Sequence, residues 1–126
     1  VSGAFHRHQR SREYAWIAQK RDTALAYARM VPSFRVIVAV GSLRPGVAPP
    51  EVLPAAAAAA AELTVVEASS VDVVSGEARL TVRFTADSVD QALVVGLHVA
   101  ERVRILAQTG NWRVTERVAG RWFRRG

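Results

Sequence analysis

His6 and His8 sit one residue apart near the start of the sequence and are the first residues with metal-binding chemistry. On extended backbone their rings would share a face, but a structural zinc site needs four ligands and a catalytic one three. The chain has no cysteine, and its third histidine, His98, is remote in sequence. No metal site is expected. The segment Gly41-Ser42-Leu43-Arg44-Pro45-Gly46 has the glycine spacing of a phosphate-cradling loop, yet Val47 stands where the lysine belongs and Ala48 where the hydroxyl belongs. Without the ammonium and the Mg²⁺ ligand, nucleotide hydrolysis is not expected, and the segment reads as a connection running on through Pro49 and Pro50. His98 lies one helical turn from Glu101 and Arg102. No nucleophile of recognisable context accompanies it, so an ordinary hydrogen bond is expected there rather than a general base. The residues favour a non-enzyme, with no catalytic, cofactor-binding or metal-ligating side chain and no cofactor.

The remaining chemistry belongs to guanidinium groups. The 126 residues carry 16 Arg and one Lys against 11 acidic groups, a net charge of +6. Their distribution is uneven. Residues 1–50 hold eight basic and two acidic groups, residues 51–90 two and seven, and residues 91–126 seven and two. Basic ends around an acidic middle suit an acidic partner, nucleic acid, or head-to-tail contact with another copy. Arg79 and Arg83 alternate with Thr81 and Thr85 in one stretch, and Arg113 and Arg117 flank Thr115 in another. The tail mixes Arg121, Trp122, Phe123, Arg124 and Arg125, a combination that stacks bases and neutralises phosphates on a single strand, and that equally docks a terminus into a protein surface.

The elements that position these groups follow from periodicity. Ala78, Leu80, Val82, Phe84 and Ala86 alternate with the Arg/Thr row, as in a strand buried on one face. Ser88 and Gln91 then form a helix-capping signal, and an apolar helix is expected to about Gln108. Its predicted inner side includes Ala92, Leu93, Gly96, Leu97, Ala100 and Val103, while Val94, Val95 and Ile105 lie outward. Upstream, Phe34–Val40 reads as a central strand, the Ala55–Ala61 run as a helix begun near Pro50–Pro54, and Leu63–Val74 as a strand. Ser75-Gly76 makes a two-residue turn in which Asp72 faces Arg79 and Val71 faces Leu80. Thr109-Gly110-Asn111 is expected to end the long helix before a last strand, Trp112–Val118.

An amphipathic helix, with Tyr14, Trp16 and Ile17 on or beside its apolar stripe, is expected over 13–31 after a basic arm over 1–12. The pattern predicts one α+β domain over 13–126. Its core over 34–119 has the β-α-β-β-α-β order of a ferredoxin-like sandwich with a four-stranded antiparallel sheet, followed by a basic aromatic tail over 120–126. No apolar run is long enough to span a membrane and the start lacks the apolar centre of a signal peptide, so a cytoplasmic protein is expected. Two functions are expected in order. The first is a non-catalytic assembly module that associates with itself or another protein through Tyr14, Trp16, Ile17, Val94, Val95 and Ile105. The alternative is a nucleic-acid binder that contacts phosphates through Arg79, Arg83, Arg113, Arg117, Arg121, Trp122, Arg124 and Arg125.

Overall fold

The computed structural model describes residues 31–126. The expected arm and N-terminal helix, with Tyr14, Trp16 and Ile17, lie outside them. The described chain is an α+β unit with a five-stranded antiparallel sheet and two helices. Strand β1 is Ser33–Leu43; a 3-10 turn at Pro49–Glu51 leads into helix α1, Val52–Ala61; strands β2 (Val66–Val74) and β3 (Glu77–Thr85) form a hairpin; helix α2 is Val89–Leu106; strands β4 (Ala107–Val118) and β5 (Arg121–Arg125) form a second hairpin. The sheet order is β2-β3-β1-β4-β5.

Alternation along the three central strands makes one face of the sheet apolar. Phe34, Val36 and Val38 of β1, Leu80, Val82 and Phe84 of β3, and Val114 of β4 are buried beneath the helices. Phe34 and Phe84 stack with centroids 6.1 Å apart. The alanine run of α1 buries Ala56, Ala59 and Ala60, and with so little side chain this helix lies close to the sheet. Helix α2 starts on a reciprocal cap: Gln91 N–H donates to the Ser88 hydroxyl at 3.1 Å, and the Gln91 side chain accepts from Asp87 N–H at 2.7 Å.

The rotation of α2 departs from expectation. It buries Ala92, Val95, Gly96, Val99, Ala100 and Val103, a stripe at helical spacing. Val95, expected on the outside, is therefore core, while Leu97, expected inside, is exposed; Val94 and Ile105 do face outward. The physical reason is that neighbouring stripes of this helix are nearly equally apolar, and the one that packs sets the branched Val95 and Val99 beside a residue common to both stripes, Gly96. A methyl group there would lie 2.7 Å from Val114 Cγ2 and 2.8 Å from Trp112 Cζ3, so only the bare backbone fits against β4.

Two further boundaries shift. The helix stops at Leu106, and Thr109-Gly110-Asn111 belongs to β4, whose extra length pairs across bulges with the end of β1. Residues 121–125, expected as a tail beyond a four-stranded sheet, form the fifth strand on β4. The β2–β3 register places Asp72 opposite Arg79 and Val71 opposite Leu80, as the turn requires, although Arg79 Nε pairs with Glu77 at 3.4 Å rather than with Asp72.

Both hairpins turn on two residues with positive φ: Ser75 (54°) with Gly76 (77°), and Ala119 (52°) with Gly120 (79°). This is the type I′ pattern, in which a non-glycine first residue is strained unless its side chain tolerates the left-handed region. Ala119→Asn is expected to stabilise the fold by roughly 0.5–1 kcal/mol, since asparagine adopts that region more readily than alanine. An unchanged or lowered denaturation midpoint would contradict this.

Candidate functional site

The face of the sheet away from the helices collects arginines from four strands. On β1 the residues between the core positions are Arg35, Ile37 and Ala39; on β3 they are Arg79, Thr81 and Arg83; on β4, Arg113, Thr115 and Arg117; on β5, Trp122 and Arg124. Register brings them side by side. Arg35 lies between Arg83 and Thr115, Ile37 between Thr81 and Arg113, and Trp122 opposite Arg117.

Trp122 is the centre of this surface. The Arg35 guanidinium carbon lies 3.9 Å from its ring centroid, that of Arg83 5.4 Å and that of Arg117 6.0 Å. Such approaches are attractive at any one ring face, but three cations converging on one indole repel one another. Arg35 also donates a long hydrogen bond, 3.4 Å, to Thr115 Oγ1, and Thr115 is buried. Burial first, then the charges of Arg113 and Arg83, pull the Arg35 pKa below the ordinary arginine value. Arginine stays cationic under such shifts, so the direction records positive charge held against positive charge.

Counter-charges are few. Arg83 Nε lies 3.2 Å from a Glu67 carboxylate oxygen, but off the direction a hydrogen bond needs, which leaves this buried N–H without a hydrogen-bond partner among the described residues. Arg79 pairs with Glu77. Among the described residues, Arg35, Arg113, Arg117 and Arg124 have no carboxylate within ion-pair distance. Two depressions mark the face. One, of about 210 Å³, is lined by Ile37, Ala39, Arg79, Arg113 and Arg124 among others; the second, of about 220 Å³, lies among Arg35, Ser70, Thr81, Arg83 and Trp122.

The structure thus brings Arg79, Arg83, Arg113, Arg117, Trp122 and Arg124 together and separates Arg121 and Arg125 from them. Those two pair with Val118 and Val114, so they lie on the helix side, where Arg125 Nε binds Glu116 at 2.8 Å. Arg35 was missed because its strand reads as a nearly continuous apolar run. Its signal was an isolated arginine out of phase with Phe34, Val36 and Val38.

His98 is not paired with Glu101. Its Nε2 lies 2.7 Å from Glu62 at the end of α1, and Arg102 donates to both Glu62 oxygens at 2.7 and 2.9 Å. The cluster clamps one helix to the other, and neither depression includes it. In the glycine-spaced connection, Arg44 N–H donates to the Leu106 carbonyl at 2.8 Å and its guanidinium to the Arg104 carbonyl, closing the C-terminal end of α2. Hydrogen bonds from Arg102 and then His98 hold the Glu62 carboxyl below its ordinary value of 4.5. A carboxyl whose pKa is lowered by folding contributes stability that is present above the unfolded pKa and lost as pH falls through the folded one. Denaturation midpoints are therefore expected to drop more steeply on acidification below pH 4.5 in the parent protein than in Glu62→Gln. Identical acid limbs would remove the clamp as the cause.

Among the described residues, no group of three His, Cys, Asp or Glu side chains could hold a metal ion, and no helix is long and apolar enough to cross a membrane. No family model, curated protein or solved structure matches the chain.

Proposed function

We propose that the chain is a non-catalytic nucleic-acid-binding module that lays a single strand across the open face of its sheet. Phosphates are held by Arg35, Arg79, Arg83, Arg113, Arg117 and Arg124, and a base stacks on Trp122. The observation that carries this reading is the convergence of three guanidinium groups on Trp122 beside arginines that lack carboxylate partners among the described residues. Such an array is unfavourable by itself, and bound phosphate oxygens offset its repulsion. A ferredoxin-like layout, extended by β5, belongs to the same proposal, supported by the β-α-β-β-α-β order and by β1 lying between β3 and β4. The aromatic platform comes from the added edge strand rather than from the central strands that RNA-recognition domains use. Single-stranded nucleic acid is met in the cytoplasm, the location this reading implies.

Fluorescence anisotropy with labelled single-stranded oligonucleotides at several salt concentrations tests the reading. With four unpaired arginines on the face, log K against log salt is expected to fall with a slope of roughly −3. Arg113→Ala with Arg117→Ala should make that slope shallower by about 1.4, half of the total. Absence of binding at low salt, or affinity indifferent to salt, would overturn the proposal.

Self-association is a second reading, favoured by a different observation. Ile105 is 70% exposed on α2, Val94 and Leu97 are exposed about two to three turns earlier in the same helix, and valines of β2 are exposed as well. Buried apolar surface, not charge, would drive it.

A further inference from the structure

The two edges of the sheet are built differently. Strand β5 is five residues long and carries Arg121, Arg124 and Arg125, so a second β5 brought alongside would meet its own charge. That edge is blocked in the way natural sheets block them, by shortness and charge. Strand β2 has nine residues with nearly every position exposed; it carries two carboxylates and no basic group, and one of them, Glu67, is already engaged by Ser33 and Arg83 of its own chain. Its valines are uncovered on the side that should carry core: Val71 is 48% and Val73 72% exposed. Both stand opposite apolar residues of β3, Leu80 and Ala78.

We infer that β2 is a self-pairing edge, on which a second copy of this chain adds its own β2 antiparallel to form a continuous ten-stranded sheet. The inference rests on the self-association reading and names its seat. Pairing through a two-fold axis normal to the sheet keeps helix side with helix side, which confines the register to a few choices. Beyond the bulge between Val66 and Ala68, the regular stretch of β2 runs from Ala68 to Val74, and its middle residue is Val71. With Val71 on the axis all seven residues pair. Val71 then meets Val71, Ser69 meets Val73, and Ser70 meets Asp72, whose carboxylate accepts from the serine hydroxyl. Asp72 has no ion-pair partner among the described residues. With the axis moved one residue to Asp72, two carboxylates would face each other, which is destabilising. The Val71 register also leaves the two arginine faces on the same side of the joined sheet and far apart.

Because the chain has no cysteine, single introduced thiols report the register. The experiment uses full-length protein treated with nuclease and held at high salt, so that bound nucleic acid cannot bridge two copies. On mild oxidation Val71→Cys is expected to give a disulfide-linked dimer, since facing side chains on the axis are close enough to bridge. Val73→Cys, although the more exposed position, is expected to stay monomeric because its counterpart lies four residues out of register. Light scattering should show a dimer of the 13.7 kDa chain that Val71→Lys reduces to monomer, with a denaturation midpoint equal to that of the parent diluted until it too is monomeric. A dimer that survives Val71→Lys, or equal cross-linking at both positions, would keep self-association but remove β2 as its seat. A parent chain that stays monomeric throughout the micromolar range would overturn both.

Discussion

Gly96→Ala is expected to destabilise the protein by about 1–3 kcal/mol, the usual cost of forcing an extra carbon into a packed core. The sign makes this informative. In an exposed helix interior the same change stabilises by roughly 0.5–1 kcal/mol, because alanine is the better helix former. Here the added carbon meets Val114 Cγ2 at 2.7 Å and Trp112 Cζ3 at 2.8 Å. Val114 is fully buried and branched at Cβ, so it has no unstrained rotamer into which to retreat, whereas Trp112 is half-buried and can shift. Helix α2 must therefore move off the sheet or Val114 must distort. The loss is a substantial part of the roughly 5–15 kcal/mol that holds a domain together, and a lower midpoint in urea with an unchanged slope would register it. Adding Val114→Ala should recover part of it, since the two positions share one space and their effects are not additive. A Gly96→Ala protein more stable than its parent would mean that α2 does not approach β4 as described.

Trp122→Ala is expected to weaken single-strand binding by roughly tenfold to a hundredfold, because stacking of one base on one aromatic is worth about 1–3 kcal/mol. Its salt slope should hardly change, since no phosphate-neutralising group is removed. Trp122→Phe should retain most of the affinity, because a smaller ring still offers a stacking face. This pattern separates Trp122 from the arginines, whose loss flattens the slope. The indole also packs on Arg35, which is hydrogen-bonded to Thr115, so the denaturation midpoint must be compared in parallel. Equal binding by the alanine and parent proteins, with the fold intact, would remove Trp122 from the interface.

The open face was partly legible because strand alternation is local. Arg79, Arg83, Arg113 and Arg117 could each be assigned to the side away from the apolar positions of their own strands. Arg35 and Trp122 could not. A strand with apolar residues on both faces hides its phase, and Ile37 and Ala39 beside Arg35 did so in β1. Trp122 was itself a candidate contact, but the strand and face that carry it were hidden for another reason. Ala119-Gly120 makes the same kind of turn as Ser75-Gly76, but alanine is a weak signal for positive φ, and a five-residue strand is too short for its alternation to stand out. The outward expectation for Val95 failed on a smaller ambiguity. In a helix rich in Ala, Val and Leu, several neighbouring stripes are nearly equally apolar; Gly96 belongs to both the expected and the observed one, and only the packing of Val95 and Val99 into the core selects between them.

Period-two and helical spacing, the Ser88 cap and the Ser75-Gly76 turn are set by neighbours within a few residues. The sequence by itself therefore determined the order of the main elements, the β2–β3 register and the inward face of β3. Which strands adjoin, and what gathers on the face they leave open, depends on pairings between distant segments. Arg35 and Thr115 meet across a separation of 80 residues. Only the tertiary structure decided that β4 lies beside β1 and carries β5 on its far edge, and so that Trp122 arrives among arginines from three other strands. Alternation assigns a side chain to a face but carries no information about its neighbours across the sheet, and those are chosen by the packing of both helices on the shared core.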